Sequence, residues 1–177
     1  MGLMRRLHRD RRGISAIEFA FIAPVMALVY FGCIELSMMM IADRKVTNAA
    51  SSLGDLVARD TIVTNADLTD IYAAIDMIFE PSQGNAARIR VSSLYEDSGD
   101  VKVRWSDARG TGITAFSVDQ KVTVPTGVVP TGGTVIMAEV EFDYESAVGF
   151  VISTQKTLGD TFYLKPRRGD EVTRDRS

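Results

Sequence analysis

The chain has 177 residues, a formal net charge of −3, one cysteine and one histidine. The cysteine is Cys33, inside an apolar run, and the histidine is His8, near the start. One cysteine excludes an intramolecular disulfide. A single histidine ahead of the apolar run leaves the rest of the chain without Ser-His-Asp or Cys-His catalysis and without His- or Cys-ligated zinc. No pair of acids stands at a helix or loop position suited to carboxylate catalysis, so the reading is a non-enzyme with no cofactor and no metal. The charge is also uneven. Residues 1–13 carry Arg5, Arg6, Arg9, Arg11 and Arg12 against Asp10, about +4 (5 − 1), which leaves about −7 (−3 − 4) on the remainder. That is the wrong distribution for nucleic-acid binding, which needs cationic surface on the fold. It suits a basic cytoplasmic flank that orients a membrane anchor.

The anchor follows directly. Ile14 to Ala42 is apolar except for Glu18 and Glu35. As helix it spans roughly 43 Å at 1.5 Å per residue, enough to cross a hydrocarbon core of about 30 Å. It is longer than a secretory signal's core and has no small-residue cleavage site after it. A carboxylate within such a segment is costly and calls for a partner. If the chain is cut after Gly13, Ile14 gains an α-ammonium group, and Glu18 lies one helical turn, about 6 Å, away. Glu18 then pairs with the new terminus of its own chain or of a neighbour. Pro24 removes a helix hydrogen bond and clashes with the carbonyl of Ala20, which predicts a kink. For Glu35, near the outer boundary, snorkelling or an ion pair with Arg44 or Lys45 is the simplest account.

The run Arg11-Arg12-Gly13-Ile14-Ser15-Ala16-Ile17-Glu18-Phe19 resembles the prepilin-peptidase site of type IV-type pilins, and most closely the TadE-like minor pseudopilins of the tight-adherence (Tad/Flp) pilus system. Phe31-Gly32-Cys33-Ile34-Glu35 resembles a second element of those proteins, at the far end of their apolar stretch. The resemblance covers about residues 5–60 and is looser at 135–144 and 162–168. It implies cleavage between Gly13 and Ile14 by a prepilin peptidase, and an assembly role for Glu18 and Phe19. It implies helix contacts through Gly32 and Glu35. The implied partners are other pilins or pseudopilins and the inner-membrane assembly platform. The implied location is the bacterial inner membrane, N-terminus cytoplasmic and head periplasmic, with incorporation into a pilus left open. Two departures bound it: major Flp pilins are far shorter, and type II secretion pseudopilins usually carry phenylalanine where this chain has Ile14. The alternatives are a type II secretion pseudopilin, and an uncleaved single-pass envelope protein whose head binds a ligand or partner.

Beyond the anchor the expected fold is α+β. Val46, Ala50, Leu53 and Val57 recur at helical spacing and extend the helix to about Ala58, although Gly54 weakens it. Thr64 with Asp67 three residues on is a capping-box start for a second helix carrying Leu68, Ile71, Tyr72, Ile75, Ile78 and Phe79, ended by Pro81 and Gly84. Alternation of Ile89, Val91, Ser93 and Tyr95, then of Val101, Val103 and Trp105, about Asp97-Ser98-Gly99-Asp100 predicts a β-hairpin. Residues 107–133 are rich in Gly, Thr and Pro. A structureless loop of that length is suspect, and short extended pieces such as Lys121–Val124 are expected there. In the strand Val135–Glu145, Ala138, Val140, Phe142 and Tyr144 face one way. Glu139, Glu141, Asp143 and Glu145 face the other, with Arg88, Arg90, Lys102 and Arg104 as cross-strand partners rather than a cation as ligand. Trp105 is expected to pack in the core, and Gly110-Thr111-Gly112 to form a turn. Ala147–Ile152 is apolar and of undetermined type, and Thr157–Leu164 closes the sheet of about four mostly antiparallel strands. The resulting organisation is a leader (1–13), a transmembrane helix (14–42), a helix extension (43–60), a head (61–166) and a charged flexible tail (167–177).

Overall fold

A computed structural model describes residues 12–80 and 87–177, with side chains from Ser15 onward. The leader cations Arg5, Arg6, Arg9 and Arg11 and the helix-ending Pro81 and Gly84 lie outside the described residues. The elements are α1 (Arg12–Arg59), β1 (Ile62–Val63), α2 (Asn65–Phe79), β2 (Arg88–Asp97), β3 (Asp100–Arg109), β4 (Thr134–Tyr144), β5 (Lys156–Leu164) and β6 (Thr173–Arg174). They form two compact units. One comprises the described residues up to Met39 with Glu145–Gln155; the other comprises Met40–Tyr144 with Lys156–Ser177.

The larger unit is the α+β head. Its sheet has the order β3-β2-β4-β5, antiparallel throughout. Ser98 and Gly99, at φ 56° and 89°, make the two-residue β2–β3 turn. Positive φ at both central positions is the hairpin geometry whose twist matches the strands. One face of the sheet carries Ile136, Ala138, Val140 and Phe142 in alternation, all buried. Two helical segments supply the rest of that core: Val46, Ala50, Leu53 and Val57 of α1, and Leu68, Ile71, Tyr72, Ile75 and Phe79 of α2. The rings of Phe79 and Phe142 stack at 4.7 Å. Helix α2 starts as the sequence predicts, with a full Thr64–Asp67 capping box. Its C-cap, Glu80, is extended at φ −68° and ψ 146°, as a residue ahead of a proline prefers.

Helix α1 runs through Gly54, which sets how closely the helix approaches the sheet. A Cβ built there would lie 2.4 Å from Leu164 Cδ1 and 3.3 Å from the Ala138 Cβ. The absent side chain is therefore a packing device. Substituting Gly54→Val is expected to destabilise the head by about 1–3 kcal/mol through overpacking. Chemical denaturation of the full chain in detergent, followed by Trp105 fluorescence, checks this.

The opposite face of the sheet is divided. At one end Leu94, Val103, Val135 and Met137 form a second apolar cluster, covered by Phe116, Val122, Val124, Val128 and Val129. Residues 110–133 therefore form a lid with its own core, which explains how so long a connection stays ordered. The short extended piece expected at 121–124 joins the sheet through an isolated bridge, Lys102 to Lys121, beside a Val122 N–H···O=C Val101 bond of 3.0 Å. Leu94 belongs to this cluster because β2 is buried on both faces at Ser92, Ser93 and Leu94. The facing read from the sequence holds, with Leu94 on the Arg88 and Arg90 side, while the burial no longer alternates. On β3 the register against β2 shifts, with Ser93 opposite Trp105 and Leu94 opposite Val103, so Arg104 is the extra, bulged residue.

The other end of that face is ionic, as the charge alternation predicts. Arg90 grips Glu139 with two bonds of 2.5 and 2.8 Å. Arg88 reaches Glu141 at 3.1 Å and Asp143 at 2.5 and 3.0 Å. Lys102 and Arg104 pair elsewhere, with Asp97 at 2.5 Å and Glu171 at 3.0 Å. The Arg88 guanidinium, followed by the Thr157 hydroxyl, holds the Asp143 carboxyl below its usual value of 3.8. A carboxyl depressed by folding contributes stability above its unfolded pKa and loses it as pH falls through the folded pKa. Acid titration of unfolding should thus show stability falling below about pH 4, and Asp143→Asn should flatten that part of the profile.

The C-terminal residues correct the expectation of a flexible tail. Val172 is fully buried, and its carbonyl accepts the Trp105 indole N–H at 2.7 Å. β6 pairs in parallel with β1. The Arg174 side chain, 5% exposed, meets Asp107 at 3.1 Å. A charged sequence at a chain end reads as solvated, but here one valine and one arginine are inserted into the head.

Candidate functional site

The smaller unit holds the chemistry that the sequence singled out. Ser15–Arg59 of α1 is long and apolar enough to cross a membrane, with a mean hydropathy of 2.1 over its best window. Its side chains point outward without cover: Phe19 is 71% exposed, Phe21 77% and Met26 62%. Helix α1 continues through Pro24. Gly13 and Ile14 fall in its first turn, and the side chain of Ile14 lies outside the described residues. Glu18 is exposed, as are all its described neighbours from Ser15 to Ile22. A carboxylate presented on a bare apolar surface has no compensation within that surface, so Glu18 is available to a group supplied from elsewhere.

Glu35 is the reverse case. It is fully buried, and what buries it is the connection between β4 and β5. Its Oε1 accepts the N–H of Phe150 at 2.5 Å, and its Oε2 accepts those of Val151 at 2.9 Å and Ile152 at 2.6 Å. The Ser146 hydroxyl also hydrogen-bonds the carboxylate, and its oxygen accepts the Gly149 N–H at 3.2 Å. Three consecutive main-chain donors converging on one anion make a nest, and bonds to an ionised acceptor are about twice as strong as neutral ones. Snorkelling, or an ion pair with Arg44 or Lys45, is replaced by this main-chain cradle.

The same helical face supplies the rest of the clasp. Phe31, Gly32 and Glu35 lie at i, i+1 and i+4, one helical turn. The Phe31 and Phe150 rings meet at 5.7 Å. A Cβ at Gly32 would sit 3.5 Å from Val151 Cγ2, so Val151 rests on the helix where no side chain intervenes. The apolar stretch of undetermined type, 147–152, is thus neither helix nor strand, and its backbone is spent on the carboxylate. The structure brings Gly32 and Glu35 together with this loop and leaves Glu18, Phe19 and Pro24 apart from it on the bare helix. The residues that sequence reasoning missed are Phe150, Val151 and Ile152. The only trace they leave is an uncharged run, 146–155, between Glu145 and Lys156.

Among the described residues no group of three or more His, Cys, Asp or Glu side chains is placed to hold a metal ion. The aspartate and glutamate row of β4 is engaged with Arg88 and Arg90, as above.

Comparison with protein families matches residues 13–53 to the model described as TadE-like protein. The match begins at Gly13 and takes in Glu18, Pro24, Gly32 and Glu35. Neither the curated proteins nor the solved structures gave a match. The long apolar helix, TadE-like over residues 13–53, fits a single-pass membrane protein.

Proposed function

We propose that this chain, TadE-like over residues 13–53, is a minor pseudopilin that takes part in Tad/Flp-type pilus assembly after a prepilin peptidase cuts between Gly13 and Ile14. The observation that carries the reading is the position of Glu18: an exposed carboxylate on a bare apolar helix, one turn from the residue that cleavage would make N-terminal. The role is structural. Arginines of residues 1–12 hold the leader in the cytoplasm. Helix α1 stores the subunit in the inner membrane, with the head in the periplasm. The new ammonium group of Ile14, or a neighbour's, pairs with Glu18 when subunits come together, and leaving that carboxylate unpaired in an apolar bundle is costly. The partners on this reading are the peptidase, other pilins or pseudopilins, and the inner-membrane assembly platform.

The test is the N-terminus of the protein recovered from the envelope, read by mass spectrometry with and without active prepilin peptidase. A start at Ile14 that depends on the peptidase is the expected result. A start at Met1 under both conditions would overturn processing and favour an uncleaved, signal-anchored envelope protein.

A further inference from the structure

The Glu35 cradle does more than satisfy a carboxylate: it presents a second apolar element beside the membrane helix. Glu35 takes its bonds from the backbone, and the side chains of the same residues touch α1 only on one side, Phe150 at Phe31 and Val151 at Gly32. Val148, Phe150 and Val151 are 42%, 58% and 51% exposed. No charged residue occurs between Glu145 and Lys156. The loop's main-chain donors at Gly149, Phe150, Val151 and Ile152 are all engaged by Ser146 or Glu35. These four satisfied N–H groups are part of what a segment needs before it can approach hydrocarbon.

The occupant of this surface follows from its continuity with the helix. The loop rests on α1 at Phe31, Gly32 and Glu35. About 20 helical residues cross the hydrocarbon core, so within the apolar run 14–42 a span counted from Ser15 reaches Glu35, and Leu36, Met38, Met40 and Ile41 stay exposed beyond it. Exposed apolar side chains run along α1 from Phe19 to this level, through Leu28, Val29, Tyr30 and Phe31. The loop therefore extends a lipid-facing surface at the depth where hydrocarbon meets headgroups.

We propose that residues 147–152 form an interfacial wedge that seats Val148, Phe150 and Val151 in the outer leaflet of the bilayer, and that Glu35 is the positioning residue that holds it there. Wedges of this kind sit roughly 5–10 Å into the headgroup and acyl boundary. The proposal rests on reading α1 as the membrane span.

The experiment is spin labelling of the full chain in vesicles of phosphatidylethanolamine and phosphatidylglycerol. Cys33 is first replaced (Cys33→Ser), and single cysteines are then placed by Val148→Cys, Phe150→Cys, Met26→Cys and Val118→Cys. Collision with oxygen, which concentrates in hydrocarbon, is compared with collision with a water-soluble nickel chelate. The expected result is that labels at 148 and 150 are oxygen-accessible and chelate-protected, though less so than at 26, while 118, on the head surface, is the reverse. Adding Glu35→Ala should return the label at 150 to chelate accessibility. Using two loop positions keeps the result from depending on how one label disturbs the cradle. A hydrocarbon signature at 26 with aqueous signatures at 148 and 150 overturns the wedge and leaves the span standing. Aqueous signatures at 26, 148 and 150 overturn both. Low accessibility to both reagents at 150, with spin–spin broadening that vanishes on dilution with unlabelled protein, makes the surface a contact with a second copy and also overturns the wedge.

Discussion

Replacing Glu35 by alanine should strip protection from the amides of Phe150, Val151 and Ile152 together. The reason is geometric: one side chain accepts all three donors, so one substitution orphans three N–H groups. These N–H groups are part-buried, so losing the acceptor removes a bond without restoring full hydration in the same conformation. The loop cannot keep its conformation with three such groups and must open to water. Hydrogen exchange followed by mass spectrometry on the detergent-solubilised protein is the measurement. Exchange over 146–152 should accelerate by more than about tenfold, while β4 amides such as Val140 keep their protection. Glu35→Gln should fall between, since a neutral amide offers one acceptor oxygen in place of two. Unchanged exchange at 150–152 in Glu35→Ala would mean that the loop is held by Phe31, Gly32 and its own turns.

Glu18→Ala should leave the protein inserted in the membrane and abolish its contribution to pilus biogenesis. Insertion depends on the summed apolarity of α1, which the substitution increases. Assembly, on the proposed reading, depends on a carboxylate one turn from a processed N-terminus. Glu18→Gln separates charge from shape: it should insert equally well and fail equally, because a neutral amide does not pair with an ammonium group. The measurements are membrane fractionation and a count of surface pili in a strain carrying only the variant. Normal piliation with Glu18→Gln would remove the pairing role.

The sequence makes legible those features in which side-chain pattern and local geometry coincide. The α2 stripe from Leu68 to Phe79, its Thr64–Asp67 cap and the Ser98-Gly99 turn each depend on residues a few positions apart, and each formed as expected. The Arg88 and Arg90 pairs were readable because alternation placed opposite charges on faces that the hairpin had to bring together. Three features were hidden. The partner of Glu35 was hidden because the partners are main-chain N–H groups, which every non-proline residue carries and no sequence pattern marks. Gly54 read as a weak helix residue, because its use is a close approach to Leu164 and Ala138, far along the chain. The docking of Val172 and Arg174 was masked by the charges around them. Of the candidate site, Gly32 and Glu35 were named through the resemblance, as helix contacts, and the loop that engages them was seen only in three dimensions.

The separation between Glu35 and its cradle also sets an order of events during synthesis. Phe150 follows Glu35 by 115 positions. At about 5–20 residues per second, roughly 6–23 s pass between the making of the glutamate and the making of the first N–H that holds it. Helix α1, needing only local contacts, is complete and able to enter a bilayer long before that. The nascent chain therefore carries two uncompensated carboxylates in one apolar helix, Glu18 and Glu35. Glu35 finds its partner within its own chain, and that partner arrives after β4 has been made. The clasp is among the longest-range contacts in the protein and so among the last that folding can close.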